Sequence, residues 1–244
     1  MDLSGQGIEI AGGQGALRVW ADVEQGRIGA ITADLRLQAL DARLGPGLPV
    51  LAVESMQGRV SAHWGAQGWG LASEDLQWRT RDGLAWPGGR LSLEHRVGRD
   101  EQSASTALTA DRIDLAVLTA MATHLPLGSP THGWLARLQP AGQVLDLNAS
   151  WQGPWPGAAG YRAQGRVEGL ALNGEDSGQM SSYGPYPLPG RPGVRNASAD
   201  FAFDEEGGQA RVQVQDGALE LPGVFEERLL PLRRLQTEAR WTVP

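Results

Sequence analysis

The chain's four histidines are the side chains best suited to metal binding or to acid–base catalysis near neutral pH. They are His63, His95, His124 and His132. His124 and His132 are near each other in sequence, but Pro126 and Pro130 lie between them, so the two imidazoles cannot share one helical face at metal-binding spacing. We interpret all four as surface or boundary residues.

Paired acids are the next candidates for chemistry. Asp111 and Asp114 fall in the opening turn of a predicted helix, where carboxylates favour the helix dipole. Glu205 and Glu206 fall at a predicted hairpin tip. We interpret both pairs as structural, and the chain has no G-x-S-x-G, H-E-x-x-H or phosphate-loop motif.

Composition excludes several further classes of function. The chain has no cysteine, which rules out thiolate nucleophiles, cysteine-ligated metals and disulfides. Its formal net charge is −7 and it has no basic stripe, so nucleic acid is not an expected partner. The sequence therefore predicts a protein that is not an enzyme, with no catalytic residue, metal site or cofactor.

A two-residue alternation of apolar and polar side chains dominates the chain and predicts strands. Segments 16–23, 30–40, 58–64, 68–73, 76–80, 90–97 and 103–110 have this pattern before the middle of the chain. Segments 142–151, 160–174, 197–223 and 232–243 have it after the middle, with 197–223 forming a hairpin that turns at Glu205–Gly208. Residues 1–109 and 141–244 are thus predicted to be strands.

Residues 110–140 change to a helical period. Ile113, Val117, Met121 and Leu125 are spaced four apart, with Asp111 or Thr109 as the cap and Pro126 as the end. A second short helix is predicted at 129–140, with Trp134, Leu135 and Leu138 on one side. The stretch 176–193 reads as a loop to which we assign no role.

Nine tryptophans lie mostly on or beside the predicted strands. Trp20 is out of phase with Leu17 and Val19, and is therefore expected on the opposite face of its strand. Tryptophans in such positions pack a core or line an apolar or amphipathic ligand. The pattern alone leaves both open.

Four stretches resemble a known family: LTADRIDLAVLTAMATHLPLG, WLARLQPAGQVLDLNASWQG, YRAQGRVEGLALNG and GALELPGVFEERLLPLRRLQTEARW. Their order and spacing are similar to those of the AsmA-like envelope proteins of the YhdP type. The resemblance implies a mainly β fold, an extended antiparallel sheet curled into a groove, here with a short two-helix insertion near its middle. It also implies a place in the periplasm, in a full-length protein anchored to the inner membrane of a Gram-negative bacterium by one N-terminal helix.

The resemblance further implies a bridge-like lipid transfer protein that moves phospholipid to the outer membrane. Its partners would be phospholipid acyl chains and, through the rest of the protein, the inner and outer membranes. We expect the anchor helix to lie outside this chain, and residues 1–244 to be a single β-rich segment of a larger protein.

If the strands line an apolar groove, one parity of the second-half strands faces the lipid. The predicted lipid-binding residues are Leu145, Leu147, Ala149, Trp151, Phe201, Phe203, Val212 and Val214. Two other readings stay open. A non-catalytic structural or interaction module with a dry core would show the same alternation, since two packed sheets also alternate. An enzyme acting on glycans or lipids would need convergent polar residues that the sequence does not reveal.

Overall fold

The computed structural model describes residues 9–24, 26–98, 103–125, 127, 129–153, 160–180 and 187–243. Twelve strands and two helices follow one another in this part of the chain. They are β1 (Glu9–Glu24), β2 (Arg27–Arg43), β3 (Leu51–Gly65), β4 (Gly68–Thr80), β5 (Ala85–Trp86), β6 (Leu91–Arg96), β7 (Ser105–Asp114), α1 (Leu115–Ala122), α2 (Ser129–Leu138), β8 (Ala141–Gln152), β9 (Gly160–Leu172), β10 (Gly193–Asp204), β11 (Gly207–Glu220) and β12 (Leu229–Thr242).

The strands form one antiparallel sheet that is not closed into a barrel. Their order in the sheet is β1-β2-β3-β4-β6-β7-β8-β9-β10-β11-β12, so strands that are neighbours in sequence are neighbours in space. Strand β5 pairs with β4 beside this path. The predicted mainly β, antiparallel fold with a helix pair in the middle is confirmed.

Two of the predicted strands prove to be one. Segments 68–73 and 76–80 are both part of β4, and the break between them is a β-bulge. There Asp75 has a φ of 48°, and Asp75 and Leu76 together oppose Gly58 of β3. A bulge of this kind shifts the alternation by one residue. The apolar positions of β4 therefore change parity, from Trp69 and Leu71 to Leu76 and Trp78, while staying on one face.

Glycine is required at position 58 by this bulge. Its φ is 147°, and a Cβ there would lie 2.5 Å from the Cα of Leu76. A side chain would collide with the backbone of β4, so the bulge depends on this close approach.

The first helix is shorter than predicted. Residues 110–114 continue strand β7, because Ala110 pairs with Leu91 and the Asp111 amide donates to the Arg90 carbonyl. Helix α1 begins at Leu115, and its cap is Asp114, whose Oδ1 accepts from the Val117 amide at 3.0 Å. The predicted start at 110 and the predicted caps Asp111 and Thr109 are therefore wrong.

The remaining boundaries differ by a few residues. Helix α2 ends at Leu138, and Pro126, the predicted end of the first helix, lies outside the described residues. The hairpin turn is shorter than predicted, since Asp204 pairs with Gly207 and Gly208 already belongs to β11. Two isolated bridges involve the predicted loop at 176–193: Arg191 pairs with Glu175, just before the loop, and Met180 pairs with Pro187 within it. Residues 181–186 of that loop lie outside the described part of the chain.

The chain divides into two compact units. Unit 1 comprises residues 1–112, 120–126 and 146–164, and unit 2 comprises 113–119, 127–145 and 165–244. Among the described residues, each unit has six or seven buried apolar side chains. In unit 1 they are Ala33, Ala42, Leu51, Val53, Ala110 and Ala122; in unit 2 they are Ile113, Val117, Leu138, Val167, Ala197, Val214 and Ala218. The prediction that the chain is one β-rich segment of a longer protein stays a prediction.

Candidate apolar binding face

Unit 1 has an apolar face that crosses six strands. Residues directly opposite each other in an antiparallel ladder lie on the same face of the sheet. Register therefore joins one row from β1 to β7, with one apolar side chain from each strand. The row is Ala21, Ile31, Ala62, Leu71, Leu93 and Leu108.

This face is largely open to solvent along the edge strand β1 and around Leu71 of β4. Leu71 is 48% exposed. The exposed fractions of Leu17, Val19, Val23 and Ile28 range from 45% to 63%. Away from that part, Val53 is only 1% exposed. The face thus passes from a closed region to an open region in which large apolar side chains meet water. Such contiguous exposure is typical of a binding surface.

The opposite face of unit 1 is polar. Arg18 of β1, Asp34 of β2, Arg59 of β3 and Glu74 of β4 are joined by register into one row of alternating charge. Arg59 donates to Asp34 through Nε at 2.7 Å, and this hydrogen bond lowers the pKa of the Asp34 carboxyl below its ordinary value. Trp20 lies on this polar face, as predicted from its phase, with the guanidinium carbons of Arg18 and Arg59 each 5.9 Å from its ring centroid.

Unit 2 repeats this one-sided design in β10, β11 and β12. Four of the predicted lipid-binding residues share one face there. The rows are Ala197–Val214–Leu235, Ala199–Val212–Thr237, Phe201–Ala210–Ala239 and Phe203–Gly208–Trp241. Phe201, Phe203, Val212 and Val214 are therefore brought together on an apolar surface.

The other face of these strands is charged. Arg166 of β9 donates to Asp200 at 2.7 Å, and Arg211 donates to Glu238 at 3.2 Å. Asp200 and Arg211 are directly paired across β10 and β11. These charged side chains are well hydrated when they face solvent. The apolar side chains on the other face are the ones that gain free energy when they are covered.

The apolar face of unit 2 also changes from closed to open along its strands. Val214 is 1% exposed, whereas Phe203 and Trp241, at the hairpin end, are 36% and 41% exposed. Gly208 lies between the two rings, and a Cβ at that position would come within 2.5 Å of Phe203 Cβ and Trp241 Cζ2. The glycine lets the indole ring lie close against the sheet.

The four predicted residues of β8 are half-buried, whereas Asp146 and Asn148 between them are exposed. Asp146 has a φ of 50°, in the left-handed region, and an irregularity of that kind interrupts a strand's alternation. Leu145 belongs to unit 2, while Leu147, Ala149 and Trp151 belong to unit 1. A shared face for these four residues, and a lipid-binding role for all eight, stay predictions.

Sequence reasoning missed most of the open face in unit 1. The alternation of Leu17, Val19 and Ala21 was visible, but only the register of β1 to β7 aligns it with Leu71 and Leu93. The stacked Trp78 and Trp86, with ring centroids 6.4 Å apart, were also missed. The two-residue strand β5 that positions Trp86 is too short for any periodicity to reveal.

The candidate chemical residues have structural partners. His63 pairs with Glu94 at 3.3 Å, His124 Nδ1 lies 3.3 Å from the Pro49 carbonyl, and Arg90 donates to Asp111 at 3.2 Å. Within the described residues, no three side chains of His, Cys, Asp or Glu type form a cluster that could hold a metal ion. Among the same residues, no helix is long and apolar enough to cross a membrane.

Comparison with known proteins supports the resemblance noted above. No significant match was found among curated proteins or among solved structures. A family model described as "YhdP protein" matches residues 3–243. The match spans almost the whole chain, and the chain therefore belongs to the YhdP family.

Proposed function

We propose that this chain is a segment of a periplasmic conduit that shields phospholipid acyl chains on its apolar sheet faces. In this proposal the sheet is curled into a groove, and the lipid moves along it between the inner and outer membranes. Membership in the YhdP family implies association with the cell envelope, and the family is not known as an enzyme family. The identity of the lipid, the direction of its transport and the anchoring of the full-length protein to the inner membrane all belong to this proposal.

The observation that carries this proposal is the open apolar face of each unit. Leu71 in unit 1 and Phe203 in unit 2 lie on faces whose register partners are apolar, and both remain accessible to solvent. Transfer of apolar surface from water gains about 25 cal/mol per Å², so an uncovered face of this kind favours an apolar partner. An acyl chain covered by such a face gains about 0.8 kcal/mol per buried CH₂.

The polar opposite face supports the same assignment. Its ion pairs are largely exposed, as expected of a surface that stays in water. A sheet with one wet face and one open apolar face can hold a lipid on a single side. Within the described residues, the strands follow one another in a single sheet, as a continuous lipid-holding surface requires.

Lipid capture by matched charge variants tests the proposal. In unit 2, Phe203→Asp places a carboxylate on the apolar face, and Ala202→Asp places the same group one residue away on the polar face. In unit 1, Leu71→Asp and Ala72→Asp form the equivalent pair. Each purified protein is incubated with fluorescent phospholipid and analysed by native mass spectrometry, with circular dichroism as the check on folding.

We expect wild-type protein and both control variants to retain phospholipid, and Phe203→Asp and Leu71→Asp to lose it while remaining folded. A folded wild-type protein that takes up no phospholipid would contradict the proposal and favour the structural module. Equal capture by the variants of each pair would contradict the assignment of the apolar face.

A further inference from the structure

A row of hydrogen-bond donors crosses the open end of the apolar face in unit 1. Trp64 of β3 is paired with Trp69 of β4, Trp69 with His95 of β6, and His95 with Thr106 of β7. Both indoles are substantially exposed, whereas Thr106 is buried. We refer to these four residues as the donor row.

His95 is held in a fixed orientation within the donor row. Its ring stacks on that of Trp69, with centroids 5.4 Å apart and planes 23° from parallel. Its Nδ1 lies 3.0 Å from the Thr106 hydroxyl oxygen. If Thr106 donates this hydrogen bond, the neutral ring has its proton on Nε2, and the protonated ring has one there as well. In that arrangement Nε2 is a donor in both states.

The donor row differs from the rest of its face in chemistry. An indole has one N–H donor and no acceptor, so Trp64 and Trp69 add donors alone. The next two rows towards the closed region are Ala62–Leu71–Leu93–Leu108 and Val60–Ser73–Leu91–Ala110. In these three rows, all within the described residues, His95 is the one ionisable side chain and no carboxylate is present. The nearby carboxylate of Glu94 is on the opposite face, paired with His63.

We propose that the donor row binds the phosphate of a phospholipid whose acyl chains lie on the apolar rows beside it. Donors without a neighbouring carboxylate complement an anion, and tryptophans favour the border between apolar and wet surroundings. The headgroup then lies at the Trp64–Trp69–His95 level, and the chains extend over the next two rows, the first containing Leu71 and Leu93 and the second containing Leu91. This inference rests on the proposed function and adds to it the position and chemistry of headgroup recognition.

Two fluorescent lipids with identical acyl chains test the proposal: phosphatidylglycerol and the uncharged diacylglycerol. The test variant is His95→Phe combined with Thr106→Val, which keeps a ring against Trp69 and leaves no buried hydroxyl unpaired. His63→Phe is the matched control, because it removes a histidine from the polar face of the same sheet. A second variant, Trp69→Phe, keeps an aromatic ring and removes one donor.

We expect the double variant to weaken phosphatidylglycerol binding about tenfold, equivalent to about 1.4 kcal/mol, and to leave diacylglycerol binding unchanged. Trp69→Phe should show a smaller loss of the same selectivity, and the control none. Equal losses for both lipids, or no loss, would overturn the headgroup assignment while leaving the acyl-binding function intact. Inorganic phosphate that bound as tightly as the lipid would overturn the assignment to a lipid headgroup. A wild-type protein that bound neither lipid would overturn the proposed function and this inference together.

Discussion

Burial on the unit 1 face predicts which of two alanine substitutions destabilises the protein more. The predicted order is the reverse of the order that side-chain size alone would give. Val53 is 1% exposed and Leu71 is 48% exposed, and both belong to unit 1. In lipid-free protein, Val53→Ala should therefore destabilise unit 1 more than Leu71→Ala does. Leu71→Ala removes more carbon atoms than Val53→Ala does. A larger cost for Val53→Ala would therefore reflect its burial and not its size.

The magnitudes follow from the area removed from water. Val53→Ala deletes two buried carbon groups, at about 0.8 kcal/mol each, and the cavity left behind raises the cost to about 2 kcal/mol. Leu71→Ala deletes three carbon groups, but about half of that side chain is already wet. Its transfer cost is therefore about 1.2 kcal/mol, and no closed cavity forms at the open face.

Urea unfolding followed by tryptophan fluorescence measures the difference, because Trp64, Trp69 and Trp78 all lie in unit 1. The free energies come from the transition midpoint multiplied by the slope, provided that the two variants share the same slope. Saturating phospholipid should then raise the cost of Leu71→Ala above its lipid-free value, because a bound lipid stabilises only the folded state that binds it. The cost of Val53→Ala should stay the same.

Two results would refute this reasoning. In lipid-free protein, a larger cost for Leu71→Ala than for Val53→Ala would mean that the face around Leu71 is covered in solution. A lipid-independent cost for Leu71→Ala, in protein shown to bind lipid, would mean that the lipid lies elsewhere.

Three further predictions concern the polar contacts of the fold. Asp114→Ala should destabilise the protein by about 1 kcal/mol in urea unfolding, because the amide of Val117 loses its cap; Asp114→Asn, which keeps an acceptor, should cost less. The hydrogen bond from Arg59 lowers the folded-state pKa of Asp34, so the stabilisation that this carboxylate provides is complete above its unfolded-state pKa of about 3.9 and is lost as pH falls through the lower folded-state value. The urea midpoint of wild-type protein should thus fall more steeply than that of Asp34→Asn below about pH 4, and parallel curves would contradict the assignment. Glu220→Ala should cost about 2 kcal/mol, since this buried carboxylate forms an ion pair with Arg228, with Nε 2.9 Å from Oε1, and accepts a hydrogen bond from the Gly174 amide at 3.0 Å; thermal unfolding indistinguishable from wild type would show that these contacts do not matter.

Much of the fold could be predicted from side-chain alternation, because a sheet with one apolar face imposes a two-residue period on every strand. Segments 16–23 and 30–40 lie inside β1 and β2, and 197–223 contains most of the β10–β11 hairpin. Phe201, Phe203, Val212 and Val214 share a face because the short turn after Asp204 sets the register that their parity requires.

The errors arose where the period changes within an element. Asp75 has a left-handed backbone conformation, so the apolar side chains of β4 change parity at this residue. The sequence pattern therefore predicted two strands where there is one. Residues 110–114 fit a helical stripe through Ile113, but pairing of β7 with β6 extends the strand to Asp114. Cross-strand hydrogen bonds decided that boundary, and they are not visible in local propensity.

The candidate site shows the same division. Parity indicated which residues share a face within one strand, as with Trp20 on the polar side of β1. It could not show that Trp69 lies beside His95, or that Leu71 continues a row begun by Ala21. These contacts depend on the register of six strands, which is fixed by turns and bulges spread over the first half of the chain.

Site-specific photo-crosslinking in living cells is the most direct test of the central claim that the apolar faces hold acyl chains. A photoreactive phenylalanine analogue is placed at four positions, one at a time: Phe203 and Leu71 on the apolar faces, and Ala202 and Ala72 on the polar faces. Mass spectrometry then identifies any lipid attached to the purified protein. The account predicts phospholipid adducts at Phe203 and Leu71 and none at Ala202 and Ala72. Adducts that ignore this alternation, or an absence of lipid at all four positions in folded protein, would contradict it.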